Sequence, residues 1–282
     1  MIKKILYSML MVMILWIIIQ KTVCEKYIPH ELYLDTNVNT LDKNILSYNI
    51  QKFPWNIKSF NDSDFYKIIK QHSIILLQEC FDETFGSLEN CFPEYYICRG
   101  KLKGLNPLNS GLVILSRFPL YDVEFYQYKN YDILSFDLFS EKGFLSVLTK
   151  INNEYIRIIN THLQSSSFKR YDEKALLQLQ ELEKYLKKLD KINVKYIVGG
   201  DFNIDIKDID NLYDIGNRKL YYPNDSTIFI DFVTSHSTNQ KKDGYEPLIF
   251  DYFLTKNINM DKPTVVKCDY SDHNPITTTF RV

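Results

Sequence analysis

The sequence is poor in the features that mark most specialised classes. Its 282 residues hold nine glycines and nine prolines, too few for a collagen-like or low-complexity chain, and no internal repeat is found. Five cysteines occur, Cys24, Cys80, Cys91, Cys98 and Cys268, without a Cys-x-x-Cys pair, which argues against a zinc cluster. Neither charge is in excess: 34 Lys+Arg face 35 Asp+Glu, so no broad basic field marks a nucleic-acid binder. No apolar run reaches the roughly 20 residues that span a bilayer comfortably. What is there is an ordinary globular composition, 45% hydrophobic and 24% charged, with length enough for a sizeable core.

The amino terminus stands apart. Lys3 and Lys4 precede the apolar run Ile5–Ile19, which closes in Gln20-Lys21 and a small-residue exit at Thr22-Val-Cys24. That is a signal-peptide pattern, so the chain is expected to be secreted, or held at a membrane by an uncleaved signal anchor. Removing residues 1–24 takes three lysines and no acid, leaving a net charge of −4. Residues 25–43 read as a polar lead-in and residues 44–282 as one domain. In an oxidising compartment the remaining cysteines are expected to pair, Cys91 with Cys98 first, because they flank only Phe92-Pro-Glu-Tyr-Tyr-Ile97.

Short β-rich runs recur along that domain: Ile45–Ile50, Ser73–Gln78, Leu112–Leu115, Phe144–Thr149, Tyr155–Asn160, Val194–Val198, Ile249–Leu254 and Ile276–Phe280. Most are bounded by Asn, Asp, Gly or Pro, as strands are. One long helix is predicted between Thr161 and Val194, where Ala175, Leu179, Leu182, Leu186 and Leu189 form a single apolar stripe. A second covers Ser63–Gln71. Interspersed strands and helices indicate an α/β or α+β class built in packed layers.

The informative pattern is the polar residue that ends strand after strand. Asn49, Gln78-Glu79, Asn160-Thr-His162, Gly199-Gly-Asp-Phe-Asn203, Asp251 and Ser271-Asp-His-Asn274 each adjoin an apolar run. Strand ends converge at one edge of a sheet, so these sets can share a pocket. The oxygen ligands of Asn49, Glu79, Asp201, Asn203, Asp251 and Asp272 suit a hard divalent ion such as Mg²⁺. His162 and His273 are then available for proton transfer. Together they fit hydrolysis of a phosphate ester. His30, His72 and His236 lack such company and read as surface or structural histidines.

At this point the sequence resembles the endonuclease/exonuclease/phosphatase superfamily. The matching stretches are Ser47-Tyr-Asn49, Leu77-Gln-Glu79, Ser110–Pro119, Asn160-Thr-His-Leu163, Gly200-Asp-Phe-Asn203, Asp251-Tyr-Phe-Leu254 and Ser271-Asp-His273, in the family's order. The resemblance implies a four-layer α/β sandwich, two packed β-sheets flanked by helices. It also implies that Glu79, with Asn49, holds Mg²⁺, and that Asp272 completes the acidic floor or binds metal. His273 would be the general base, oriented by Asp251. Asp201 and Asn203 would position the nucleophile and a phosphate oxygen, and His162 would donate a hydrogen bond or a proton on the leaving-group side.

Within the superfamily, Glu141-Lys-Gly-Phe-Leu145 followed by Asn160-Thr-His-Leu-Gln-Ser-Ser166 is most similar to the neutral and bacterial sphingomyelinases. Leu176–Leu186, with Gln178 and Gln180, sits where that branch has its Gln-Leu helix, although the arginine that often precedes it is absent and Lys174 is the nearest basic residue. This branch implies a phospholipid substrate at a membrane surface, with nucleic acid as the alternative and no obligate protein partner. Lys142 is then a candidate substrate contact. So are Tyr221 and Tyr222, in the aromatic, motif-free segment Ile204–Leu248 that offers a loop to the lipid interface.

Overall fold

The computed structural model describes residues 42–54, 58–81, 87–100, 108–131, 140–165, 173–212, 216–225, 227 and 248–282. The apolar run Ile5–Ile19, His30, His236 and most of the aromatic segment Ile204–Leu248 lie outside them. Among the described residues no helix is long and apolar enough to cross a membrane.

One sheet contains β1 (Asn44–Lys52), β2 (Ile74–Cys80), β3 (Tyr96–Arg99) and β4 (Val113–Ser116), joined by β11 (Asn259–Met260), β12 (Thr264–Val265) and β13 (Ile276–Arg281) from the far end of the chain. Its order is β11-β13-β1-β2-β4-β3, with β12 beside β13. The other sheet is drawn from the middle of the chain: β5 (Leu120–Gln127), β6 (Gly143–Ile151), β7 (Glu154–His162), β8 (Lys195–Asp201), β9 (Lys219–Tyr221) and β10 (Asp251–Lys256). Here the order is β5-β6-β7-β8-β10-β9. Among the described residues four helices accompany them, α1 (Ser63–Lys70), α2 (Ser87–Cys91), α3 (Glu173–Lys191) and α4 (Ile206–Leu212).

The central strands are apolar at nearly every position because both of their faces are covered. Successive side chains alternate between faces. Ile45, Ile74, Leu76 and Ile114 of the first sheet therefore meet Leu145, Val147, Ile158, Ile197 and Phe253 of the second in one buried core. The intervening residues Leu46, Tyr48, Ile75, Leu77 and Leu115 face outward onto Phe65, Ile68 and Ile69 of α1. On the other side Ile159, Tyr196, Val198 and Leu254 meet the stripe Ala175, Leu179, Leu182, Leu186 and Leu189 of α3. Helices, sheet, sheet, helices: this is the expected four-layer sandwich. The start of α1 is fixed by Asp62, whose carboxylate accepts from the backbone N–H groups of Asp64 and Phe65 at 3.1 Å.

All eight anticipated strands are present, within two residues at most ends. The short or edge strands β3, β5, β9, β11 and β12 were not anticipated. In β5 a run of exposed residues and an irregular register between Tyr121 and Glu124 break the apolar alternation that marks a buried strand.

The expected Cys91–Cys98 disulfide is not formed. None of Cys80, Cys91, Cys98 and Cys268 carries a disulfide. Cys98 points into the core between the sheets, whereas Cys91 ends α2 on the outer side of the same sheet, its Sγ 3.1 Å from Asn61 Oδ1. The strand itself separates the two sulfurs, a geometry that no disulfide can bridge.

Candidate active site

The two sheets present the functional side chains at one common edge. β1 and β2 run parallel and deliver Asn49 and Glu79 at their carboxyl ends. β7 and β8 do the same for His162 and Asp201, which are register partners. β10 runs antiparallel to β8, so its first residue, Asp251, lies opposite Asp201. β6 runs antiparallel to β7 and sets Gly143, next to Lys142, opposite His162. The turn before β13 adds Asp272 and His273.

The backbone is bent to achieve this. Glu79 and Asn203 both adopt positive φ, at 51° and 49°, in the left-handed region that non-glycine residues enter at a cost. Gly200 has φ of +147°, and a Cβ there would stand 2.0 Å from the Thr161 carbonyl oxygen, so only glycine permits the close passage of β7 beside Asp201.

Asn49 organises the floor. Its Nδ2 donates to Glu79 Oε1 at 2.9 Å and to Asp201 Oδ2 at 3.0 Å. Gln51, which sequence reasoning missed, donates from Nε2 to Asp272 Oδ2 at 3.1 Å and so ties that carboxylate to the β1 end. Burial pushes Glu79 above the usual carboxylate range, with Lys142 and the Asn49 bond pulling the other way. Burial likewise raises Asp201, to about 7, against the attraction of His273.

Two histidines flank this floor in opposite states. His273 Nδ1 lies 2.9 Å from Asp251 Oδ2, and its Nε2 is 3.7 Å from Asp201 Oδ2. Burial alone would lower its pKa, but the charges of Asp251 and Asp201 outweigh burial and raise it to about 10. His162 is equally buried and sits 3.5 Å from Asp201 and 3.8 Å from Glu79. Burial, the ammonium of Lys142 and the charge of His273 hold it well below its ordinary value, so it is neutral. Lys142 Nζ is 2.7 Å from His162 Nε2, and the buried lysine thus faces the same pocket.

Asn203 packs at the rim, its backbone N–H on Asp201 Oδ1 and its Nδ2 on the Leu163 carbonyl at 3.0 Å. The loop expectation divides the tyrosines. Tyr222 is 39% exposed beyond the end of β9. Tyr221 instead is a strand residue paired with Phe253, its ring packed against the core between the sheets, because β9 extends the sheet where a free loop was expected.

The site fits a hard cation. Its converging ligands Asn49, Glu79, Asp201 and Asp272 are oxygen donors, and no cysteine belongs to the set. Asp251 Oδ1 is buried without a hydrogen-bond partner. Ligand atoms of Asp201, Asp251 and His273 also lie within 4.8 Å of one another. Carboxylates that are buried and raised in this way gain from a nearby positive charge.

Two mixed sheets packed face to face, with carboxylates and two histidines at one edge, define a deoxyribonuclease-like fold carrying a metal-type hydrolytic centre. The sequence profile of the Endonuclease/Exonuclease/phosphatase family matches residues 46–273, and the chain belongs to that family. It is similar to Sphingomyelinase C of Bacillus cereus, 28% identical over an alignment of 158 positions that covers 48% of this chain and 47% of that enzyme. The chain thus spans about half the length of that relative. Its fold is similar to that of the beta toxin of Staphylococcus aureus with bound magnesium ions, with a TM-score of 0.59, 21% identity, and coverage of 85% of this chain and 99% of the toxin. It is also similar to the D. rerio TDP2 structure complexed with a single-strand DNA product, with a TM-score of 0.64, 15% identity, and coverage of 85% and 98%.

Proposed function

We propose that the protein is a Mg²⁺-dependent phosphodiesterase that hydrolyses a phosphocholine-type lipid headgroup, in the manner of a sphingomyelinase-like phospholipase C. The observation that carries the hydrolytic reading is the pairing of an Asp251–His273 dyad with a Lys142–His162 pair across one acidic floor. Asp251 holds His273 by Nδ1, leaving Nε2 to take a proton from water beside Asp201. Asp201 and Asn203 orient the attacking water and a phosphate oxygen. Neutral His162 gives a hydrogen bond to the leaving oxygen, and the Lys142 ammonium favours negative charge there. Glu79 and Asn49, with Asp272 nearby, would hold the Mg²⁺. When bound, that cation supplies Lewis-acid charge to the phosphate and offsets the acidic charge that keeps His273 protonated.

The lipid assignment draws on the similarity to Sphingomyelinase C, the Lys142-Gly143 and Thr161-His-Leu-Gln164 stretches, and the export signal that we infer from Ile5–Ile19. Secretion, or retention by that signal, would bring the enzyme to a membrane surface. Tyr222 then offers an exposed ring for the interface. A second reading, cleavage of nucleic acid, is favoured by the likeness to the TDP2–DNA complex, and a net charge of −4 after loss of residues 1–24 weighs against it.

The test is incubation with Mg²⁺ and either sphingomyelin vesicles or plasmid DNA, each repeated in EDTA. Release of choline phosphate, abolished by EDTA, is expected, and Tyr222→Ala should slow vesicle hydrolysis more than hydrolysis of a soluble ester. Nicking of DNA without lipid turnover would move the enzyme to the nuclease reading, and activity unchanged in EDTA would overturn the metal.

A further inference from the structure

Gln178 is out of place by composition. It lies on the buried side of α3 among Ala175, Leu179 and Leu182, fully enclosed, where a leucine would satisfy the apolar stripe. Both ends of its carboxamide are used. Oε1 accepts from the backbone N–H of Gln164 at 2.7 Å, and Nε2 donates to the carbonyl of Asn130 at 2.5 Å. Gln164 is two residues past His162, one beyond the last bond to β8, that of the Leu163 N–H to the Asp201 carbonyl at 3.0 Å. Asn130 lies three residues past the end of β5.

A neighbour on the same helix face makes the Asn130 anchor rigid. Glu181, also buried, accepts from the backbone N–H groups of Lys129 and Asn130, from Asn130 Nδ2 at 2.6 Å and from the Tyr126 hydroxyl at 2.9 Å. From there Tyr128 reaches the Thr161 hydroxyl at 2.7 Å, and its N–H bonds the Lys142 carbonyl at 2.9 Å. The residues before and after His162, and its partner Lys142, are thus all referred to one helix.

We propose that Gln178 is a positioning residue for His162. It fixes the post-strand segment 163–164 against the 129–130 segment, so that the imidazole stays on the leaving-group side of the pocket. The assignment of that side rests on the hydrolytic reading above, whereas the bridge itself does not. A hydrogen-bonded side chain that spans two irregular segments restrains them as a helix or sheet ladder would.

The experiment compares wild type, Gln178→Leu and Gln178→Glu by amide hydrogen exchange and by turnover of the soluble phosphocholine esters of p-nitrophenol and phenol. Gln178→Leu should speed exchange at Gln164 by about tenfold or more. It should lower kcat by about ten- to a hundredfold with little change in KM, and more for phenol, the poorer leaving group. Gln178→Glu keeps an oxygen for the Gln164 N–H but turns a second oxygen toward the Asn130 carbonyl, so it should restore protection at Gln164 in part and leave kcat low, because one end of the bridge is lost. A merely structural role would lower both esters equally, and that result, or unchanged exchange at Gln164 in Gln178→Leu, would overturn the proposal. Wild type turning over neither ester would count against the phosphocholine reading alone. The exchange data would then decide the bridge by themselves, faster exchange at Gln164 supporting it and unchanged exchange overturning it.

Discussion

Asp251→Asn is the most revealing single change, because it alters a charge and almost no shape. Asp251 Oδ2 is 2.9 Å from His273 Nδ1, and with Asp201 it raises that imidazole from 6.5 to about 10. At about 1.36 kcal/mol per unit, the displacement corresponds to a preference for the protonated ring on the order of 5 kcal/mol. The asparagine removes the nearer negative charge and leaves Asp201, 3.7 Å from Nε2, and the weaker pull of Asp272 to oppose burial. The midpoint should then fall by about two units or more, toward the ordinary histidine value or below it. The assay is an NMR titration of the imidazole resonances in EDTA-treated protein. Wild-type His273 should stay protonated through about pH 8, and the variant ring should be neutral there. In the Mg²⁺-loaded enzyme the same variant should lose about 10²- to 10⁴-fold in kcat, the usual worth of a positioned general base. A midpoint that stays near 10, or a kcat within a few-fold of wild type, would refute this account of the dyad.

Glu79→Gln keeps an oxygen for the Asn49 bond and removes the floor's charge, so activity should fall by orders of magnitude with the thermal midpoint unchanged, and excess Mg²⁺ should restore part of it. His72 is a buried neutral histidine, 2.7 Å from the Ile68 carbonyl and 2.6 Å from the Thr277 hydroxyl, and burial lowers its pKa. Its folded value lies below its unfolded value, so its contribution is intact above about 6.5 and is lost as pH falls below it. His72→Leu should cost about 1–3 kcal/mol in urea titrations near pH 7.5, by stranding the Ile68 and Thr277 partners, and the gap from wild type should narrow near pH 5.5. Alkylation of the unreduced protein followed by mass spectrometry should label Cys91 and yield no Cys91–Cys98 linked peptide.

Much of the site was legible because its chemistry sits where strands stop. Asn49, Glu79, His162, Asp201, Asp251 and His273 each follow or precede an apolar run, and the topology brings those ends together. The long helix was equally plain from its stripe. What stayed hidden depends on partners far away in sequence. Gln51 reads as an ordinary polar residue until its amide is seen on Asp272, across 221 positions. Cys91 and Cys98 are close in sequence, but Cys91 ends a helix on the outer side of the sheet while the alternation of strand faces turns Cys98 inward. Tyr221 looked like a loop aromatic because β9 has only three residues and a weak apolar pattern.

Asn160 and Gln78 have a quieter consequence. Gln78 Nε2 donates to Asn160 Oδ1 at 2.7 Å, and Asn160 Nδ2 donates to the carbonyls of Leu77 and Val113 on the opposite sheet at 2.8 and 3.0 Å. The interlocked apolar side chains between the sheets already resist sliding, and this directional amide key adds a bond pattern that is met at one alignment. Asn49 and Glu79 belong to one slab, and His162, Asp201 and Asp251 to the other, so the reaction centre exists only after the key has turned. During refolding, recovered turnover should therefore lag the return of β-sheet circular dichroism, and enzymatic activity becomes a clock for the mating of the two slabs.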